Sequence, residues 1–290
     1  MSFLQVIVMG IVQGLTEFLP VGSAGQLAFH EHWVKGDVQL EMLLTVMLHV
    51  GTLVAVFLVF KGDIRQILVS LKQMTGDIIE NIKIFFRNKR NGDALRFRKI
   101  LNNNYRNFTA MILVSLIPTV VIGLLLRSIT YKMSGSLLAT SAGILITAVF
   151  LLVANFTSQG KKVPVDIDYK IALVIGICQG FAVLPGVSRA GITIVACLLC
   201  GFSVKFAVKY SFILSIPTII GAAIVAIVTV PKGSITIAFW GYCVVGMIIA
   251  AVIGVVCINF MLRLIKKSNL KYFAGYCLVM GLLAIGLNFL

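Results

Sequence analysis

The sequence predicts an all-α, polytopic membrane protein built from two inverted-topology repeats, each with a re-entrant helix-turn-helix and three transmembrane helices. Of its 290 residues, 59% are hydrophobic and 12% are charged, with a mean hydropathy of +1.04. A soluble domain carries about 25% charged residues. Several apolar runs reach the roughly 20 residues that a helix needs to cross a hydrocarbon core of about 30 Å. Two related polar motifs also interrupt apolar segments, one in each half of the chain.

The long apolar runs and the interrupted ones predict different elements. Full-length spans are predicted at residues 40–60, 108–126, 136–155, 207–230, 235–262 and 272–289. The stretches 3–34 and 170–202 each contain a Leu-Pro step between two arms that are too short to cross alone. Proline and glycine end a helix, and the backbone groups that they free need partners inside a membrane. Both stretches are therefore predicted to be re-entrant elements buried in protein.

The two interrupted stretches resemble each other. VQGLTEFLPVGSAG at 12–25 and CQGFAVLPGVSRAG at 178–191 share Gln-Gly, Leu-Pro, Ser and Gly in the same order. This similarity predicts a first repeat over residues 1–156 and a second over 157–290. In transporters built from inverted repeats, ligand sites form where the discontinuous helices of the two repeats meet.

The distribution of charge predicts the orientation of the repeats. The net charge is +15, and the loops 61–107, 156–170 and 263–271 carry most of the basic residues, which predicts that they are cytoplasmic. The first re-entrant element then opens from outside and the second from inside. Because the charge lies between apolar runs, it favours contact with the bilayer and its anionic lipids and argues against nucleic acid. The amphipathic segments IRQILVSLKQM and IIENIKIFF, inside the first of these loops, are predicted to lie along the inner membrane face.

Two charged residues lie beside the predicted helix breaks. Glu17 and Arg189 are inside apolar elements, and charges in such places usually face the interior of a helix bundle and mark function. They can form a structural ion pair between the halves, or a site for a phosphate, whose oxygens match the arginine fork. Ser23 and Ser188 begin the second arms, where a hydroxyl either caps the helix or binds an anion beside free backbone N–H groups. A carboxylate near phosphate usually holds a divalent metal or moves protons.

The motifs QGLTEFLPVGSAGQL and LPGVSRAGITI resemble the two signatures of the undecaprenyl-diphosphatase (bacitracin-resistance) family. The similarity extends to LHVGTLVAV at 48–56 and FILSIPTIIGA at 212–222, so the chain resembles a divergent member. This resemblance implies hydrolysis of undecaprenyl diphosphate to undecaprenyl phosphate in the bacterial plasma membrane, which recycles the lipid carrier of cell-wall synthesis and confers bacitracin resistance. It also implies a polyprenyl (di)phosphate lipid as ligand and a divalent cation, Mg²⁺ or Ca²⁺, as cofactor. A homodimer is a further expectation.

The resemblance also implies roles for individual residues. The expected catalytic residues are Glu17, Ser23, Ser188 and Arg189, and Glu17 is also the expected metal ligand. The expected substrate-binding residues are Gln13, Thr16, Gln26 and Gly186.

Four positions depart from the family pattern. Gln26 replaces the histidine that the family is held to use in catalysis, Gly22 and Ala190 replace serines, and Lys209 replaces a carboxylate. Glutamine is neither a nucleophile nor a base at neutral pH, and losing proton-transfer catalysis costs about 10²- to 10⁴-fold. Two functions are therefore expected as alternatives: a phosphatase with an altered base, or a non-hydrolytic polyprenyl-phosphate transporter or flippase.

The histidines and cysteines indicate a function less clearly than the motif residues do. The run from His30 to His32 is either the polar outer end of an arm or a metal site, and His49 is predicted to be a packed, hydrogen-bonded histidine within a span. The six cysteines all lie in apolar runs and are predicted to be buried packing residues, since a redox or metal role needs an accessible thiolate.

Overall fold

In the computed structural model the described residues form helices joined by turns and loops, with an isolated β-bridge between Lys162 and Phe202. It describes residues 2–23, 25–27, 38–133, 135–156, 160–162, 168–229, 236–264 and 269–289. Its helices are α1 (Phe3–Thr16), α2 (Val38–Val59), α3 (Lys61–Asn91), α4 (Asn104–Met133), α5 (Leu137–Phe156), α6 (Tyr169–Phe181), α7 (Arg189–Leu199), α8 (Val204–Thr229), α9 (Ile237–Leu264) and α10 (Leu270–Asn288). The prediction of an all-α fold is confirmed.

The long apolar helices make this a multi-pass membrane protein. Within the described ranges, α4, α5, α8, α9 and α10 are long and apolar enough to cross a membrane, and α2 is a sixth candidate when counted with the helix that follows it. These six helices coincide with the six predicted spans. Helix α4 continues through Met133, seven residues beyond the predicted end of the span 108–126.

Helix α3 changes the direction of the chain after the first long apolar helix. It is bent by 90° from α2 and runs as one continuous helix of 31 residues through both predicted amphipathic segments. One face, which includes Ile64 and Met74, is buried, while Ile79 and Phe86 are exposed on another. Two ion pairs connect α3 to the helices beside it. Asp77 accepts from Arg106 at 2.6 Å, and Asp63 accepts from Lys209 at 2.7 Å. The position of α3 along the inner membrane face stays a prediction.

Both interrupted stretches contain broken helices. Helix α1 ends at Thr16 and is followed by a turn through Val21, whereas α6 ends at Phe181 and α7 begins only at Arg189. Neighbouring helices supply donors to carbonyl groups in and after the first arms. Cys257 Sγ donates to Leu15 O at 3.1 Å, Ser115 Oγ to Ala172 O at 2.7 Å and Thr119 Oγ1 to Gly176 O at 2.9 Å. Such contacts let broken helices exist within a membrane.

The prediction of buried packing cysteines is confirmed for four of the six. All six are free thiols. Cys197, Cys243, Cys257 and Cys277 are buried, whereas Cys178 and Cys200 are partly buried.

The two halves of the chain interlock. Helix α1 packs against α9 and α6 packs against α4, so the first arm of each half lies on a long helix of the other half. Helices α2 and α8 pack against each other, as do α5 and α10. The division into repeats at residue 156 stays a prediction. The interlocking matters for function because it brings the two polar motifs together.

Candidate functional site

The two broken elements meet through their glycines. Gly22 and Gly186 have φ angles of 79° and 78°, in the left-handed region that glycine tolerates best. A Cβ on Gly22 would lie 2.8 Å from Gly186 O, and one on Gly25 would lie 3.4 Å from Gly186 Cα. The turns after the two Leu-Pro steps are therefore in direct contact.

Glu17 is the centre of the polar cluster. It caps the C-terminal end of α1 and is 5% exposed. Gln13 Nε2, one helical turn earlier, donates to Oε2 at 2.9 Å, and Ser23 Oγ donates to the same oxygen at 2.7 Å. Phe18 packs edge-on against Phe212, with ring centroids 5.2 Å apart. The carboxylate is thus held on a rigid part of the element.

Arg189 reaches Glu17 from the other half of the chain. It is the first residue of α7, and its Nη2 donates to Glu17 Oε1. Its other terminal nitrogen, Nη1, is buried and has no hydrogen-bond partner among the described residues. The predicted ion pair between the halves therefore exists, and it leaves one guanidinium nitrogen for a ligand.

Ser188 orients the helix that carries Arg189. Its hydroxyl accepts from Gly191 N at 3.0 Å as the N-cap of α7, and its backbone N–H donates to Thr147 Oγ1 at 2.9 Å. The capping predicted for Ser188 is confirmed, whereas Ser23 directs its hydroxyl to Glu17. The N-terminus of a helix favours anions, since its first N–H groups lack intrahelical partners.

The remaining predicted binding residues surround this cluster less directly. Gln26 Oε1 accepts from Tyr276 OH at 3.0 Å, and Gln26 Nε2 is buried without a described partner. Thr16 Oγ1 donates to Val12 O at 2.7 Å, within its own helix. Gln13 Oε1, like Gln26 Nε2, is a buried polar atom without a described hydrogen bond. Unpaired buried polar atoms are rare in folded proteins and usually have an explanation, and here they are concentrated at the motifs.

Lys209 belongs to a different part of the molecule. Its Nζ donates to Asp63 on α3 at 2.7 Å, and Tyr105 OH donates to the same carboxylate oxygen at 3.2 Å. The lysine that departs from the family pattern is therefore paired with a carboxylate from elsewhere in the chain.

His49 joins the site, although the sequence indicates only a packed histidine. Its Nδ1 contacts Thr45 O at 2.7 Å, which confirms the predicted hydrogen bonding, but its Nε2 lies 3.3 Å from Glu17 Oε2. Sequence analysis missed this role because His49 is far from both motifs in the chain. The usable signal was an ionisable residue within an apolar span, the same feature that identified Glu17.

The described side chains do not provide the ligands for a metal ion held by the protein alone. Within the described ranges, no group of three or more His, Cys, Asp or Glu residues is arranged to hold a metal. Both oxygens of Glu17 already accept from hydrogen-bond donors, and one of these donors is the Arg189 guanidinium. A cation at Glu17 would therefore be repelled by Arg189 and would lack further protein ligands. The segment from His30 to His32 lies outside the described residues.

Comparison with known proteins shows the family of the chain. The family model described as bacitracin resistance protein BacA matches residues 6–283. An undecaprenyl-diphosphatase of Alkaliphilus metalliredigens is 35% identical over 288 residues, 98% of each chain. Proteins of the same name from Desulforapulum autotrophicum and Methanosphaera stadtmanae are 34% and 32% identical, over 98% and 99% of both chains. With its two motifs joined at Glu17 and Arg189 and the family match covering nearly its full length, the chain belongs to the bacitracin resistance protein BacA family.

Proposed function

We propose that the protein hydrolyses undecaprenyl diphosphate to undecaprenyl phosphate and inorganic phosphate. One observation carries the proposal: Arg189 binds Glu17 through Nη2 and keeps Nη1 buried and unpaired beside a helix N-terminus. A purely structural ion pair gives no reason for an unpaired nitrogen, whereas a phosphate oxygen would satisfy it. Hydrolysis returns the lipid carrier to cell-wall synthesis, and this accounts for bacitracin resistance in a plasma-membrane protein.

Arg189 and α7 bind the diphosphate in this proposal. Guanidinium groups bind phosphate oxygens with planar, charge-assisted hydrogen bonds, and the α7 N-terminus adds the positive end of a helix dipole. Ser188 keeps this N-terminus in place by capping it. Gly186 lets the preceding turn approach the other motif closely, since its φ is positive. These contacts stabilise the charge that builds up on the phosphoryl oxygens as the bond breaks.

Glu17 and Ser23 act on the attacking water. Ser23 Oγ donates its proton to Glu17 Oε2, so its lone pairs are free to accept a hydrogen bond from water. Glu17 is nearly fully buried and pairs directly with Arg189. A phosphate bound by Arg189 would therefore lie near Glu17, which can receive the proton that the attacking water loses. Gln13 holds the carboxylate from α1, and Thr16 and Gln26, which belong to the same motif, complete the proposed binding residues. General acid–base groups of this kind contribute about 10²- to 10⁴-fold to rate.

The cofactor and the assembly stay predictions. The family resemblance predicts Mg²⁺ or Ca²⁺ with Glu17 as ligand, but the described donor set does not fit a cation held by protein alone, and no step above uses one. A homodimer is likewise proposed from the resemblance.

Phosphate release by purified protein tests the function. Protein in detergent is incubated with undecaprenyl diphosphate, with and without Mg²⁺ or Ca²⁺, and inorganic phosphate is measured over time. Wild type should release phosphate, and Arg189→Ala should not. If wild type equals Arg189→Ala, hydrolysis is refuted, and lipid transfer between vesicle leaflets then tests the transporter alternative.

A further inference from the structure

Tyr276 links the last helix of the chain to the first motif. It lies on α10 and is 42% exposed, yet its hydroxyl donates to Gln26 Oε1 at 3.0 Å. The next residue, Cys277, is buried, and its thiol donates to Pro20 O at 3.6 Å. Helix α10 therefore packs directly against the Leu-Pro step of the first broken element. The proposed hydrolysis gives this contact no role.

Gln26 lies in the segment that joins the two motifs. Its backbone N–H donates at 3.2 Å to the carbonyl four residues earlier, so the segment is helical here, and residues three apart on a helix are neighbours on its surface. Ser23, three residues before Gln26, contacts Glu17. A Cβ on the adjacent Gly25 would lie 3.4 Å from Gly186 Cα. The residues around Gln26 thus contact both the carboxylate and the second motif.

The hydroxyl of Tyr276 determines which end of the Gln26 amide is available to a ligand. The amide has one acceptor, Oε1, and one donor nitrogen, Nε2. Oε1 accepts from Tyr276, while Nε2 is buried and has no hydrogen-bond partner among the described residues. A buried donor without an acceptor is destabilising, and a phosphate oxygen would satisfy it. Turning the amide over would instead direct Oε1 at the anion and leave the tyrosine hydrogen without its described acceptor.

We propose that Tyr276 is a positioning residue, which orients the Gln26 amide so that Nε2 donates to a phosphate oxygen of the lipid ligand. This inference rests on the proposed function, because it needs a lipid phosphate in the site. Gln26 Nε2 and Arg189 Nη1 are both buried donors without a described partner, so each motif offers one donor to the diphosphate. Glutamine cannot transfer a proton at neutral pH, and position 26 therefore contributes to binding.

Removing the Tyr276 hydroxyl tests this role. Tyr276→Phe keeps the ring but leaves the Gln26 amide free to turn, and ordering one long side chain costs a factor of about 2 to 12 in affinity. The Kd for radiolabelled undecaprenyl phosphate in detergent should therefore rise about fivefold. KM for undecaprenyl diphosphate should rise equally while kcat changes little, since only binding is affected. Tyr272→Phe is the matched control, because Tyr272 is 68% exposed on the same helix and its hydroxyl has no described hydrogen bond.

A double-mutant cycle determines whether Tyr276 acts through Gln26. Gln26→Ala should raise the Kd for undecaprenyl phosphate at least about tenfold, because a hydrogen bond to a charged group is lost. Adding Tyr276→Phe to Gln26→Ala should then change the Kd by less than about 1.5-fold. Gln26→Glu keeps an acceptor for the Tyr276 hydroxyl but has no N–H, so it should weaken binding at least as much as Gln26→Ala.

Three results would overturn the proposal. They are a wild-type Kd in Tyr276→Phe, effects of the two substitutions that simply multiply in the double variant, and a wild-type Kd in Gln26→Glu, where a merely structural link to α10 would survive. The proposed hydrolysis can fail separately. If wild type releases no phosphate from undecaprenyl diphosphate but undecaprenyl phosphate binding shows the predicted coupling, the role of Tyr276 stands and the hydrolytic function is refuted.

Discussion

Replacing Arg189 by lysine measures the value of its second nitrogen. Arginine binds Glu17 through Nη2 and has Nη1 left for the ligand, whereas the lysine ammonium has three N–H groups on one nitrogen and cannot reproduce two donors held apart in one plane. A hydrogen bond that involves a charged group contributes about 1.5–3 kcal/mol. At about 1.4 kcal/mol for each factor of ten, Arg189→Lys should lower kcat/KM by roughly 10- to 150-fold. The charge beside Glu17 is kept, so the thermal stability of the variant in detergent should change little.

Arg189→Ala should have a larger effect of a different kind. It leaves Glu17, at 5% exposure, without its cation, and removing one partner of a buried pair destabilises a protein by about 3–5 kcal/mol. Phosphate release and thermal unfolding are measured on both variants, with Arg127→Lys as the matched control, since Arg127 is an exposed arginine on α4. If Arg189→Lys keeps its kcat/KM within twofold of wild type while Arg127→Lys is neutral, the assignment of Nη1 to a phosphate oxygen is refuted.

Three further predictions concern Gln26, Gly22 and Lys89. Gln26→His adds an imidazole beside the cluster and should raise kcat in the phosphate-release assay; an unchanged rate would mean that the surrounding site has also diverged. Gly22→Ala should reduce activity by at least tenfold, because the new Cβ would lie 2.8 Å from Gly186 O at a positive φ and a small displacement of catalytic groups costs about 10²-fold. Gly62→Ala, where a Cβ meets nothing within 4 Å, is its control, and equal activity of the two variants would contradict the reasoning. A cysteine replacing Lys89 should react in intact cells only with membrane-permeant thiol reagents, with wild type labelled in parallel; reaction with impermeant reagents would place α3 outside.

The transmembrane spans could be predicted from the sequence because they depend mainly on the length of each apolar run. A run of apolar residues long enough to cross the bilayer has few alternatives, and all six predicted runs are helices. Their ends were less predictable, as α4 continues through Met133 into a segment that composition assigns to a loop. Helix α3 is continuous where the pattern shows two amphipathic segments, since residues between two such segments can stay helical when nothing interrupts the backbone.

Only the site residues that lie within the two motifs could be predicted from the sequence. Glu17 and Arg189 stand out because charge inside an apolar element is costly, and the sequence left a structural pair and a phosphate site as alternatives. The structure shows that these alternatives are compatible, since one guanidinium nitrogen pairs and the other stays available. The contact of His49 with Glu17 was not predictable, because it depends on how α2 packs on α1 and no local pattern encodes that distance.

The charges of the site are divided between the two halves in a way that makes the halves interdependent. When the two motifs are aligned on their shared Gln-Gly, Leu-Pro and Ser, the second is one residue shorter between Gln-Gly and Leu-Pro, so Glu17 lies opposite Ala182 or Val183, and Arg189 corresponds to Ala24 in the first. Each half therefore supplies one charge that the other half lacks, and the pair forms only where the two broken elements meet. A buried carboxylate without a cation is strongly unfavourable, so correct assembly of the halves and completion of the site are stabilised by the same contact. The left-handed glycines at this junction let the two turns approach each other, since a Cβ on Gly22 would lie 2.8 Å from Gly186 O.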